Sequence, residues 1–140
     1  PSLAKRVNYE LEVVHDPLND EKSDMDQILN SLNKKPFAVQ KEVIKAVVKS
    51  FKSGNRSVYI TAEMGSGKTL MGISSALLLK KTHRVLVMCP PHLVRKWIKE
   101  IKETVPVAKV IHLNGKHCLS ILQGLRSARP IVRAEFYVIG

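Results

Sequence analysis

Ser57-Val58-Tyr59-Ile60-Thr61-Ala62-Glu63-Met64-Gly65-Ser66-Gly67-Lys68-Thr69 is the stretch that decides the fold. The β-branched and aromatic run 57–61 predicts a short buried strand, and the Leu-, Met- and Ala-rich stretch 68–81 predicts a helix. Between them lies a turn holding two glycines, a lysine and a threonine. Strand, glycine-rich turn and helix in that order form a phosphate cradle. Glycines let backbone amides turn inward around phosphate oxygens, and the helix that follows points the positive end of its dipole at the same charge. The pattern is G-x-x-x-x-G-K-[ST] with Ala62 in the place of the first glycine. Lys68 is expected to reach β- and γ-phosphates and the Thr69 hydroxyl to ligate Mg2+. A nucleoside triphosphate with magnesium is therefore the expected ligand.

Working outward, strands and helices alternate. Arg84-Val85-Leu86-Val87-Met88-Cys89 reads as a second strand, followed by a helix that begins at Pro91 and runs to about Thr104, with proline suited to its first turn. A third strand is expected over 107–113, a third helix over 116–126 and a fourth strand over 136–139. Apolar strands separated by helices of this length predict a doubly wound α/β fold with a mostly parallel sheet covered on both faces. On the N-terminal side, Val39, Val43, Ala46, Val47 and Phe51, joined by Ile44 and Val48, follow helical spacing from Pro36 until Gly54 supplies a stop. Tyr9, Leu11 and Val13 suggest a short strand, the stretch 15–20 a turn, and Ser23-x-x-Asp26 a capped helix ending near Leu32.

Charge divides the chain in two. Residues 1–33 carry three Lys or Arg against seven acids, whereas residues 34–140 carry twenty against five. We therefore expect an acidic lead-in segment, 1–33, ahead of a basic nucleotide-binding domain, 34–140, whose charge suits a polyanion, most simply nucleic acid. At 140 residues the chain has the size of one domain. No apolar run approaches the roughly 20 residues that span a bilayer, and the first residues lack the apolar stretch of a signal peptide, so a cytoplasmic location without membrane contact is expected. Cys89 and Cys118 lack zinc-site spacing and are expected to be reduced, buried thiols. His112 and His117 are the only close histidine pair, across a strand-to-helix loop, and no metal role is expected of them.

Ala62-x-x-Gly65-Ser66-Gly67-Lys68-Thr69 resembles motif I of superfamily 2 helicases, in which alanine often stands for the first glycine. Glu63-Met64-Gly65, and the strand ending in Cys89-Pro90 that leads into a helix carrying Leu93-x-x-x-Trp97-x-x-Glu100, look like the Swi/Snf-type branch and its motif Ia. Pro36-Phe37-x-x-Gln40 is similar to the Q-motif region. The resemblance covers roughly residues 34–140 and implies a RecA-like lobe, partial here, carrying motifs Q, I and Ia. It implies that Gln40, Glu63, Met64, Gly65, Ser66, Gly67, Lys68, Thr69 and Leu70 bind ATP, with Lys68 and Thr69 as the catalytic pair and Thr69 as the Mg2+ ligand. It also implies that Pro91, His92, Leu93 and Arg95 contact DNA, RNA remaining open. A glutamine amide offers donors and an acceptor that match the adenine edge. Pro91 at a helix start leaves the amides of His92 and Leu93 free for a backbone phosphate, with Arg95, Lys96 and Lys99 adding charge. Trp97 falls on the apolar stripe Leu93, Val94, Trp97, Ile98, Ile101 and is expected in the core, not on a base.

Hydrolysis in this family further requires an Asp-Glu-x-[Asp/His] segment on a later strand. After Thr69 the chain has no aspartate, and its three glutamates, Glu100, Glu103 and Glu135, do not form that motif. The expectation is a portion of a helicase or translocase that binds ATP but does not turn it over alone, the second RecA-like lobe being supplied by the rest of a longer chain. The alternatives are the motor subunit of a restriction enzyme, which shares this lobe, and a P-loop kinase-like module without a nucleic-acid partner.

Overall fold

The computed structural model describes residues 24–79, 84–115, 118–125 and 133–140. The predicted strand at Tyr9, Leu11 and Val13, the turn at 15–20, Ser23, the ends of the predicted helices at Lys80, Lys81, Lys116 and Arg126, and His117 lie outside the described residues.

Three parallel strands form the sheet: β1 (Arg84–Met88), β2 (Lys109–Leu113) and β3 (Glu135–Ile139), with β3 in the middle. In register, Val85 and Val110 flank Phe136, and Val87 and His112 flank Val138. Strand order does not follow chain order, so each connection crosses the sheet, and helices fill those crossings as parallel pairing requires. The helices are α1 (Asp24–Ser31), α2 (Ala38–Lys52), α3 (Lys68–Leu78), α4 (Val94–Thr104) and α5 (Cys118–Gly124), with a 3-10 turn, Pro91–Leu93, leading into α4.

The two faces of β3 have different covers. Phe136 and Val138, both with 0% exposure, join one core with Val87, Ile44 and Val48 of α2, Met71 and Ile73 of α3, and Val94 and Ile101 of α4. Tyr137, which points the other way, shares a cavity wall with its register neighbour Ile111 and with Ser120 and Ile121 of α5. Helices on both faces of a parallel sheet make this an α/β fold of the doubly wound kind, as the alternation predicted.

Helix α1 contributes Leu29 to the same core, and the Leu32 side chain follows it there. The Lys45 ammonium of α2, largely buried, meets Asp26 of α1 at 3.1 Å, which holds the two helices together. Trp97 and Ile98 pack against the core beside Val94 and Ile101, so the apolar stripe of α4 faces inward as its spacing required.

Three expectations need correction. Residues 57–61 form no ladder hydrogen bonds among the described residues, and Tyr59 is 92% exposed there. A strand needs a neighbour, and β3 already has both of its edges occupied by β1 and β2, while the outer edge of β1 remains unpaired among the described residues. On α2 the buried face is Ile44, Val47 and Val48, and Val39, expected in the stripe, stands 77% exposed at the first turn. Both cysteines are free, as expected, but half-buried instead of buried.

Candidate functional site: the glycine-rich loop and the turn beyond β1

The loop between residues 61 and 68 owes its shape to two glycines. Gly65 has φ +83° and Gly67 φ +85°, and no other residue type takes a positive φ among the described residues. Alternating signs of φ along Met64, Gly65, Ser66 and Gly67 give the backbone pattern of a concavity that suits an anion, with the Ser66 amide donating to the Glu63 carbonyl at 3.3 Å. Gly67 is also the N-cap of α3, and its carbonyl accepts the first helical bond from the Met71 amide at 3.0 Å. The helix therefore starts directly behind the concavity, with its uncapped amides and its dipole directed at the loop.

Lys68 folds over this loop. Its ammonium donates to the Ala62 carbonyl at 2.9 Å and to the Glu63 carbonyl at 2.6 Å, so the side chain bridges the strand side and the tip of the turn. It keeps one N–H for another acceptor. Thr69 is half-buried in the first turn of α3. Leu70 sends its side chain into the core at 6% exposure, so only its backbone can face a ligand. Met64, at the loop tip, is 99% exposed, and Glu63 beside it is exposed.

Gln40 is tied to the loop in a way its position on α2 does not announce. Its Nε2 donates to the Ser66 carbonyl at 2.8 Å, and its Oε1 accepts from the Phe37 amide at 2.9 Å. The second bond is the return half of a capping box; Phe37, the N-cap, has no side-chain acceptor for the first half. A Cβ on Gly67 would fall on Gln40 Nε2. One N–H and one lone pair of the amide remain for a base edge. Phe37, 77% exposed, stands three residues before Gln40.

The residues present fit a Mg2+-bound nucleoside triphosphate on an observation independent of the motif. The Ser66 hydroxyl is buried within the loop and has no hydrogen-bond partner there. A buried hydroxyl left unpaired costs about 1–3 kcal/mol; Ser74, Ser75 and Thr104 share that status away from the loop, and at Ser66 a phosphate oxygen is an acceptor that the exposed loop can admit.

The turn after β1 lies at the carboxyl edge of the sheet, where ligands of open α/β sheets bind. The Cys89 amide donates to the Ile139 carbonyl at 3.0 Å, which anchors the turn to the end of β3. Gly140 lies so close that a Cβ there would meet Val94 Cγ2 at 2.6 Å and Pro91 Cα at 2.8 Å. Pro91, His92 and Arg95 are exposed. The expectation that both amides of the turn stand free is corrected: the Leu93 amide donates to the Pro90 carbonyl at 2.8 Å, because residues 91–93 are a 3-10 turn and not the first turn of an α-helix. Leu93 is half-buried. Along α4, Arg95, Lys96, Lys99 and Lys102 are exposed, with Lys99 3.7 Å from Glu103.

At the opposite, amino edge of the sheet, Glu135 occupies the first position of β3 between Arg84 of β1 at 3.2 Å and Lys109 of β2 at 3.7 Å, with the Tyr137 hydroxyl donating to it at 2.7 Å. The Tyr137 bond, then Arg84 and Lys109, hold its carboxyl below the ordinary glutamate range, against the opposing effect of burial. This glutamate ties the first residues of the three strands together, and none of its partners belongs to the loop.

Sequence reasoning singled out Gln40 but missed its bond to Ser66, and it missed the closeness of Gly140 to Pro91. The fixed three-residue gap between Phe37 and Gln40 after Pro36 was the available signal for the first. The second depends on a contact between distant elements and leaves no local pattern.

Among the described residues no helix is long and apolar enough to cross a membrane. No curated protein matches the chain. The family described as Type III restriction enzyme, res subunit, matches residues 33–126, which takes in the Gln40 segment, the loop, β1, α4, β2 and α5. With its glycine-rich loop opening α3 and a parallel sheet behind it, the chain belongs to that family, and its matched region is a superfamily 2 helicase-like N-terminal lobe.

Proposed function

We propose that this chain is the ATP-binding portion of a motor that couples ATP hydrolysis to movement along DNA. The observation that carries the reading is the loop itself: two left-handed glycines, a lysine bridging Ala62 and Glu63, and an unpartnered Ser66 hydroxyl at the start of α3. In this reading the amides of Gly65, Gly67, Lys68, Thr69 and Leu70, the hydroxyl of Ser66 and the backbone of Glu63 and Met64 surround the phosphates, the Ser66 amide being engaged by the Glu63 carbonyl. Lys68 turns its remaining N–H to the β- and γ-oxygens, and Thr69 supplies the hydroxyl ligand of Mg2+. Magnesium held by Thr69 would supply neutralisation of the phosphate charge. Gln40 meets the adenine edge with the amide valences its two internal bonds leave.

The acids that orient water and complete the magnesium site are absent from these 140 residues. A strand carrying them fits the edge of β1 that is unpaired among the described residues, where Leu86 is 56% and Met88 76% exposed. Turnover would then require that strand and a second RecA-like lobe, and the 140 residues alone would bind ATP without turning it over.

Pro91, the His92 amide and Arg95 form the DNA contact, with Lys96 and Lys99 adding charge along α4. The Cys89-Pro90 strand end and Trp97-x-x-Glu100 favour the Swi/Snf-type branch. The family match favours the motor of a restriction enzyme equally, since both use this lobe. A kinase-like module without nucleic acid leaves the basic face of α4 without a use. Oligonucleotide titration at several salt concentrations tests the DNA contact. Neutralising phosphates releases counterions, so with about three cations engaged the affinity should fall with a log–log slope near −3. Absence of binding at low salt would refute the contact.

A further inference from the structure

We propose that Asn33 and Lys34 are positioning residues that tie the helix bearing the nucleic-acid contact to the nucleotide loop, a role that rests on the functional reading above. Residues 33–40 join the two sites physically. At one end, the Asn33 side-chain amide donates to the Glu103 carbonyl at 2.8 Å and the Asn33 backbone amide to the Thr104 carbonyl at 3.3 Å, so Asn33 caps the C-terminus of α4. Lys34 adds an ion pair at 2.7 Å to Glu100, one turn earlier on the same helix. At the other end, Phe37 holds the Gln40 amide, which holds the Ser66 carbonyl in the loop. Pro36, buried between these anchors, limits the freedom of the segment.

Each anchor alone is ordinary. Together they give a short, stiff strap with one end on α4 and the other on the phosphate loop. Glu100 thereby acquires a function: it lies on the part of α4 that faces the strap, 21% exposed, while Arg95 at the other end of the helix faces solvent. Helix α4 is about 16 Å long at 1.5 Å per residue, and a packed helix moves as one body, so a shift at Glu100 and Glu103 reaches Arg95 and the Pro91 turn. A nucleotide that engages the remaining valences of the Gln40 amide fixes that side chain, and with it the bonds at Phe37 and Ser66. It therefore acts on the strap, and through it on α4. Whichever ligand binds first orders the strap for the second, so ATP should tighten DNA binding and DNA should tighten ATP binding by the same factor.

The test measures the Kd of a fluorescein-labelled DNA oligonucleotide for the 140-residue chain, with and without saturating Mg2+-ATP. The expected result is tighter binding with ATP in the wild type. In Lys34→Glu and in Asn33→Ala that ATP effect shrinks two- to fivefold, the range a partly exposed ion pair or cap supplies. Affinity for each ligand alone should change less than twofold, and thermal unfolding should confirm that each variant is folded. The exchange Lys34→Glu with Glu100→Lys restores the effect, which a purely structural loss would not do. An unchanged ATP effect in the folded single variants overturns the proposal, as does a wild type that binds both ligands independently. A wild type that binds neither ligand defeats the functional reading itself, and the positioning role with it.

Discussion

The side chain of Gln40 occupies the space that a Cβ on Gly67 would need, while its Nε2 donates to the carbonyl of Ser66, the residue before that glycine. A residue of α2 therefore holds the glycine-rich loop from outside, and two features favour glycine at 67: its left-handed backbone, and the Gln40 amide that a Cβ would push off its bond to Ser66. Gly65 has the first feature alone, since nothing lies within 4 Å of a Cβ built there.

These two glycines should consequently differ. Gly65→Ala carries only the left-handed penalty of roughly 1–2 kcal/mol. Gly67→Ala carries the same penalty and also displaces Gln40, so its melting temperature should fall further, by several degrees beyond the Gly65 variant. Thermal unfolding of the two variants side by side checks this; equal losses would show that the contact with Gln40 has no weight.

Gln40→Glu keeps the acceptor for the Phe37 amide but sets a carboxylate oxygen against the Ser66 carbonyl in place of a donor. Stability should drop by about 1–3 kcal/mol, the cost of removing a donor from a partly buried acceptor. Urea unfolding measures it. Gln40→Ala, which removes both bonds and the repulsion, should fall by a smaller or equal amount.

Glu135 makes stability depend on acidity. Its carboxyl is held below the ordinary value by Tyr137, Arg84 and Lys109. A group with a lowered folded-state pKa stabilises fully above its unfolded value, about 4.3 for glutamate, and loses that contribution as pH falls through the lowered value. Chemical denaturation across that acid range should show stability declining in the wild type. Glu135→Gln should flatten the decline while leaving Mg2+-ATP binding unchanged, because the partners of Glu135 are Tyr137, Arg84 and Lys109 and none belongs to the loop.

Phe136 is fully buried on the face of β3 that meets α2, α3 and α4. Phe136→Ala should cost about 3–5 kcal/mol, from lost burial and the cavity left behind. Equilibrium unfolding checks the figure. A cost below about 1 kcal/mol would mean that the sheet and helices do not share this core.

Much of the fold was legible because local patterns state it. The runs at 84–89, 107–113 and 136–139 are apolar and β-branched, and they became β1, β2 and β3 within two residues of their expected bounds. The stripe from Val94 to Ile101 fixed which face of α4 is buried. Where the sequence misled, the deciding term was not local. The run 57–61 has strand composition, but a strand is completed by its neighbour and the described residues provide none. Val39 has the right spacing for the core, yet it lies in the first turn of α2, where it faces solvent while its neighbour Gln40 meets the loop. The glycine-rich loop could be read directly, since φ at Gly65 and Gly67 follows from having no Cβ. Its support by Gln40, and the hold of Lys34 on Glu100, depend on contacts 26 and 66 residues apart.

In the proposed function the loop at 62–69 binds the phosphates of ATP through Lys68. Calorimetric titration of the 140-residue chain with Mg2+-ATP, beside Lys68→Ala, tests it most directly. Saturable binding by the wild type is expected, weakened in the folded variant by roughly tenfold or more, since a charge-assisted hydrogen bond is worth about 1.5–3 kcal/mol. Binding of equal strength by both proteins, or none by the wild type, would contradict it.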